Sequence, residues 1–447
     1  MRRPVLLTVL VFVVLPILGA CLADNTESGD GATVPVVPDA EMESPDPEDG
    51  SVGSPDGVTP ESTQSDARDG GGSEVGRTGT GSSSAGGFTG SGESTPREDV
   101  LSALYDLSDP GHPEPLVDLS EIRFVVSPDV IPALEDPAFE PVGEVDWLPL
   151  NEPVLMLKVD DDVRAYPLRI MTWHEIVNHT VGGVPVAVSY CPLCNSGVVY
   201  DRRLGERVLD FGTSGALLNS SLVMYDRQTE SLWSHYTGQA VAGHLTGSRL
   251  VLLPSQIVSF EVFSSAYPRG LVLSFDTGHL RQYGRNPYIS YDDPDGEPGF
   301  FFGALDDRLG AMTRVVAVRG DEEGVVISHD VLVEHGVVPF TFEGRELVAL
   351  YELGTASALD TGVIAEGRDV GSSGVFVADV DGQGVELAPG GDGGFVDSAT
   401  GLVFNILGIA SDGSDGEVRL EPVEHLDTFW FAVSAFYPDA RIIELPE

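Results

Sequence analysis

Val184-Pro-Val-Ala-Val-Ser-Tyr190, then Cys191-Pro-Leu-Cys194, then Asn195-Ser-Gly-Val-Val-Tyr-Asp201 is the stretch on which the fold turns. Two runs rich in β-branched and aromatic residues flank a short link containing Pro192 and Asn195, so the segment reads as strand, turn and strand. The pattern continues on both sides. Val154–Val159, Leu250–Leu253 and Leu271–Phe275 are further short apolar runs bounded by Gly, Pro, Asp or Ser. Helical spacing of apolar residues is scarcer, and Leu168–Val177 and Phe429–Phe436 are the better candidates. The expected fold is mainly β, a β-rich α+β architecture.

A weak repeat runs through this β-rich part. Asp226-Arg-Gln-Thr-Glu-Ser-Leu-Trp233 is echoed by Asp397-Ser-Ala-Thr-Gly-Leu-Val-Phe404, and Phe260-Glu-Val-Phe-Ser-Ser-Ala-Tyr-Pro268 by Trp430-Phe-Ala-Val-Ser-Ala-Phe-Tyr-Pro438, at nearly equal offsets. Pro185–Tyr190 has an echo in Glu346–Tyr351. The expected organisation is two weakly related halves packed as one globular unit, residues 99–300 carrying the Cys pair and residues 301–447 a degenerate copy. After Tyr351 the copy has Glu352-Leu-Gly-Thr355 in place of Cys-Pro-Leu-Cys. A unit that folds without the pair moves weight from a structural staple toward chemistry in the first half.

The 447-residue chain opens with Arg2-Arg3, an apolar run from Val5 to Leu18, and Leu18-Gly-Ala-Cys21. This is the order of an export signal, residues 1–21, ending in a lipobox whose Cys21 is lipidated. Residues 22–98 are dominated by Gly, Ser, Thr, Pro, Asp and Glu, a composition that cannot offset its ordering entropy and reads as a disordered acidic tether. The expected location is extracytoplasmic, with the membrane as a partner through the lipid. Net charge is −47, and Lys158 is the only lysine. A surface of that sign repels nucleic acid and suits solubility at high salt, so a halophilic source is expected. Asp292-Asp-Pro-Asp-Gly-Glu297 lacks EF-hand spacing and reads as a solvated loop.

Outside Cys21, the chain has only Cys191 and Cys194. A c-type haem would need His after the second Cys, where Asn195 stands, and rubredoxin-like or zinc-ribbon sites need a second Cys pair. A thioredoxin-like site needs a helix after the first Cys, whereas turn and strand follow here. The first reading is a mixed thiolate–imidazole metal site holding copper or zinc for metal handling or redox chemistry, with Cys191 and Cys194 joined by His174 and then His235. His174-Glu-Ile-Val-Asn178 misses the zinc-protease pattern at its last position. Met224 is a weak soft ligand or, more often, core filling. Two alternatives stay open: a dithiol–disulfide oxidoreductase, and a non-catalytic surface-binding module with a passive disulfide. A second polar cluster, Arg281, Tyr283, Arg285 and Asn286, could grip a carboxylate or sugar, or simply be a loop held by Arg–Asp pairs. No phosphate-loop spacing occurs, so no nucleotide is expected, and the absence of Gly-x-Ser-x-Gly weakens a serine-hydrolase reading.

Six motifs in order, Arg164-Ala-Tyr-Pro-Leu168, Trp173–Asn178, Tyr190–Cys194, Met224–Arg227, Ser231–Ser234 and Tyr283–Tyr288, resemble the family catalogued as domain of unknown function 3179. The likeness runs from about Leu148 to Asp292 and more weakly from Asp397 to Arg441. It implies an exported bacterial or archaeal protein and supplies no reaction. Relatives often place Gly where this chain has Asn195, which bears on the turn and leaves the pair intact.

Overall fold

The computed structural model describes residues 111–445 apart from 321–322, 392 and 412–416. The export signal, Cys21 and the 22–98 tether lie outside the described residues. Among the described residues strand dominates, and the four α-helices are each seven residues long. Among the described residues no helix is long and apolar enough to cross a membrane.

The strands that build the site begin with β1 (Pro153–Val159) and β2 (Asp162–Pro167), followed by helix α1 (Leu168–His174). The expected helix Leu168–Val177 is thus cut short. Glu175 turns the chain at φ 59°, and the β-branched Ile176 and Val177 enter strand β3 (Ile176–Val181). The quoted stretch forms β4 (Val184–Cys191) and β5 (Ser196–Asp201), a hairpin in which Cys191 faces Ser196 and Ser189 faces Val198. β6 (Phe211–Leu218) and β7 (Ser221–Asp226) pair next, then β8 (Ser255–Ser259), α2 (Phe260–Ala266) and β9 (Leu271–Leu273) complete the set. Three sheets result, each with further short strands: one holding β8-β1-β2-β9, in which β9 runs parallel to β2, one holding β5-β4-β3, and one holding β6 and β7.

The same order then recurs. β10 (Arg314–Arg319), β11 (Gly324–Ser328), α3 (His329–His335), β12 (Val337–Phe342), β13 (Arg345–Glu352) and β14 (Ser372–Val377) lead to β15 (His425–Phe429), α4 (Trp430–Phe436) and β16 (Arg441–Ile442). Their sheets are β15-β10-β11-β16, with β16 parallel to β11, and β14-β13-β12. Local capping recurs too: Asp226 accepts from the backbone and hydroxyl of Thr229, and Asp397 does the same for Thr400.

The sets interlock through backbone carbonyls. Gln256 on β8 donates to the Ser373 carbonyl on β14 at 2.7 Å, while Thr428 on β15 donates to the Cys194 carbonyl at 2.8 Å. The largest core joins Tyr190, Cys191 and Cys194 to Phe429, Trp430 and Phe431, so the link between the two cysteines packs directly on the later strands.

Candidate functional site

Cys191 ends β4 and Cys194 sits in the turn to β5; both are free thiols, 2% and 0% exposed. The turn closes through Asn195, whose N–H reaches the Pro192 carbonyl at 3.2 Å and whose φ is 50°. That left-handed conformation suits Gly and is tolerated by Asn, so Asn195 keeps the turn. The Tyr190 hydroxyl donates to Asn195 Oδ1 at 3.1 Å, and the Cys194 carbonyl accepts from Thr428 and the Phe429 N–H. Both ends of the turn are therefore pinned.

A buried polar chain leads away from Cys194. Its sulfur lies 2.9 Å from Ser196 Oγ; Ser196 Oγ is 2.9 Å from His235 Nε2; and His235 Nδ1 is 2.9 Å from Ser189 Oγ. The Cys194 thiol, when protonated, donates to Ser221 Oγ at 3.5 Å, and the Leu222 N–H points at the Cys191 sulfur at 3.4 Å. One orientation satisfies every group around a Cys194 thiolate. Ser189 donates to His235 Nδ1, His235 Nε2–H donates to Ser196, and Ser196 donates to the sulfur. Burial drives His235 down to about 3, so the ring is neutral and its single proton is available for that orientation.

The two sulfurs are unlike. Burial, then the hydrogen bond it gives Cys194, pushes Cys191 well above the usual thiol range. Burial alone would raise Cys194 as well, but hydrogen bonds from Cys191, Ser196 and Ser221 outweigh it and hold that thiol below its ordinary value. Next to Cys191 is Glu175, a buried carboxyl that burial, reinforced by the Cys191 charge, pushes up to about 8. The arrangement is a thiolate-biased sulfur, a thiol that hydrogen-bonds it, and a proton carrier beside the thiol.

The pair is covered. Tyr291 and Asp292 belong to the long connection between β9 and β10, and burial, strengthened by the nearby Cys191 and Cys194 charges, raises the Tyr291 hydroxyl. Asp292, expected in a solvated loop, is instead fully buried. It binds Arg314 at 2.6 Å and Arg368 at 2.9 Å and accepts from Ser357. Burial opposes its charge, but Arg314, Ser357 and Arg368 keep the carboxyl below its ordinary range. A cavity of about 20 Å³, room for a water molecule, abuts Asn195, Arg314 and His329.

The other expected residues fall elsewhere. His174 bonds the Pro132 carbonyl at 2.8 Å and the Tyr283 hydroxyl at 2.5 Å, and burial takes it down to about 4. Tyr283 also meets Thr277, and His174 senses the charge of Arg281. Arg285 is exposed, with its carbonyl accepting from Trp173, while Asn286 pins its loop to the carbonyl of Thr361 at 3.0 Å. Met224 is buried in the main core. His235 reaches Cys194 only through Ser196, and among the described residues no three His, Cys, Asp or Glu side chains gather as a metal-holding group.

Sequence reasoning passed over Glu175, Ser189, Ser196, Ser221 and Tyr291 as parts of the site. Two of them were within reach. Ser189 lies two residues from Cys191 on one strand face, and a four-residue link sets Ser196 opposite Cys191.

The chain belongs to the family described as protein of unknown function (DUF3179), whose model matches residues 128–440. No curated protein and no solved structure matches it.

Proposed function

We propose that Cys191 and Cys194 form a dithiol–disulfide redox centre in an extracytoplasmic lipoprotein anchored through Cys21. The observation that carries this reading is two free, buried thiols at one turn, with Ser196 Oγ 2.9 Å from the Cys194 sulfur and the Leu222 N–H 3.4 Å from the Cys191 sulfur; the opposite bias of the two thiols and the raised Glu175 carboxyl agree with it. Oxidation of the Cys191 thiol with the Cys194 thiolate joins the sulfurs and releases one proton and two electrons. The electrons pass to an oxidant such as a partner disulfide, the Cys191 proton goes to Glu175 when its carboxylate is free, and a protonated Glu175 returns it on reduction. Disulfides persist outside the cytoplasm, where the export signal sends the chain. The Ser189–His235–Ser196 chain holds a donor against Cys194 and so selects it as the sulfur that carries the charge.

A thiolate–imidazole copper or zinc site would use Cys191, Cys194 and His235, and would require the ring to leave Ser189 and Ser196. His174 would additionally have to give up both of its present partners. Two measurements on the folded, exported domain separate the readings: copper and zinc content, and thiol count before and after a mild oxidant. The redox reading expects metal-free protein that loses two thiols reversibly. Stoichiometric metal that disappears in Cys191→Ser and His235→Ala would overturn it in favour of the metal site.

A further inference from the structure

The repeated order of elements gives the β4–β5 turn a counterpart in the later half, between β13 and β14. Across the first hairpin Cys191 faces Ser196; across the second Glu352 faces Ser372. Cys194 lies three residues past Cys191, with its sulfur 2.9 Å from Ser196 Oγ, and Thr355 lies three past Glu352, with its hydroxyl 2.6 Å from Ser372 Oγ. Upstream, the Tyr190 N–H donates to the Glu175 carbonyl and the Tyr351 N–H to the Gly336 carbonyl, both at 2.9 Å. Cys194 thus corresponds to Thr355, Cys191 to Glu352, and Glu175 to Gly336.

The Cys194 position is a slot that belongs to the fold, because a serine hydroxyl meets it in both turns. In the first half the slot is reinforced: His235 and Ser189 stand behind Ser196, and Thr428 and the Phe429 N–H hold the Cys194 carbonyl. The Glu175 carboxyl, by contrast, is peculiar to the half with the cysteines. Gly336 takes φ 69° freely, whereas Glu175 holds a side chain at φ 59° and carries a backbone strain that its counterpart avoids. Strain of this kind collects at working sites. What it secures here is a buried carboxyl beside Cys191, whose sulfur also meets the Leu222 N–H at 3.4 Å.

We propose that Cys191 is the sulfur that exchanges with an external thiol, with Glu175 as its proton acceptor, and that Cys194 is the sulfur that leaves and returns. This rests on the redox reading above and assigns the two sulfurs different roles. In reduction an external thiol gives its proton to the Glu175 carboxylate and bonds to the Cys191 sulfur. The Cys191–Cys194 bond breaks with its electron pair on Cys194, and the Ser196 hydroxyl receives that thiolate. A second external thiol attacks the external sulfur of the mixed disulfide, the external disulfide departs, Cys191 takes up one proton and one is released to water. Oxidation passes through the same mixed disulfide in reverse, with the Cys194 thiolate attacking Cys191. Exchange expels fastest the sulfur whose thiolate is best stabilised, and the Ser196 hydrogen bond makes Cys194 that sulfur.

The test uses the folded full chain with glutathione as the external thiol. Disulfide-form protein is mixed with reduced glutathione, quenched at intervals with a maleimide, and the glutathione adduct is placed by fragmentation mass spectrometry. The adduct should lie on Cys191 in excess over Cys194 by about tenfold or more. Cys194→Ser removes the sulfur that expels glutathione and should hold a stable Cys191 adduct after oxidised glutathione; Cys191→Ser should label about tenfold more slowly or not at all. Glu175→Gly, which copies the other turn, should fold and yet slow the Cys191 exchange by about tenfold or more. An adduct chiefly on Cys194, equal labelling of the two Cys variants, or an undiminished rate in Glu175→Gly overturns the proposal. Wild-type protein that forms no Cys191–Cys194 disulfide in oxidised glutathione overturns the redox reading itself, a result distinct from these. The wild-type adduct map needs no variant, and circular dichroism shows whether each variant is folded.

Discussion

At the scale of single residues the site depends on Glu175 and Ser196. Glu175 holds its proton up to about 8 in the folded chain, against an ordinary value of 4.5. Its contribution to stability is therefore fully present below 4.5, shrinks as pH rises, and is gone above 8. In Glu175→Gln that slope should vanish from denaturant midpoints measured across this window. An unchanged slope would show that the carboxyl is not the titrating group. The same substitution should remove an inflection near 8 from the pH profile of dithiol oxidation. Ser196→Ala cuts the chain between His235 and Cys194. The ultraviolet thiolate absorbance of the reduced protein should then appear at higher pH, and stability should fall by about 1–3 kcal/mol because His235 Nε2–H loses its acceptor. A thiolate titration identical to wild type would remove Ser196 from the account.

At the scale of elements, the turn from β4 to β5 is the feature most exposed to change. Asn195→Gly keeps the left-handed backbone and loses only the Tyr190 hydrogen bond, so melting should report a cost of about 1 kcal/mol. Asn195→Val must hold a β-branched residue at positive φ and should cost about 1–3 kcal/mol more. Equal melting temperatures for the two would mean that the turn is not constrained as described. This hairpin was legible in the sequence because β-branched residues alternate with turn residues, as were strand β1 and helix α4. The end of α1 was not, because Ile176 and Val177 continue the helical spacing while Glu175 breaks the helix through its backbone. The cysteines were visible from their scarcity. Their surroundings were less so, because Ser221, Glu175 and Tyr291 arrive from distant segments, and burial rather than pattern sets their chemistry. His174 shows the reverse: its imidazole made it a candidate ligand, and the fold gives both of its nitrogens other partners.

At the scale of the whole molecule, one order of strands and helices is used twice, and the two sets reach across to each other through Gln256 and Thr428. This recurrence supports the proposal that the halves are related copies, only one of which carries the Cys pair. The later set also covers the dithiol, since Arg314 and Arg368 hold Asp292 and with it the segment bearing Tyr291. Asp292→Asn leaves two guanidinium groups facing a neutral amide and should cost about 3 kcal/mol. It should also speed modification of Cys191 and Cys194 by a thiol reagent under native conditions; labelling at the wild-type rate would show that this clasp does not govern access. The central claim is tested most directly by equilibrating the folded protein in glutathione buffers of graded redox ratio and measuring the Cys191–Cys194 disulfide by mass spectrometry. The account predicts a single reversible two-electron transition, displaced in Ser196→Ala and absent in Cys194→Ser. Two thiols that stay reduced across the whole series, in protein shown to be folded, would contradict it.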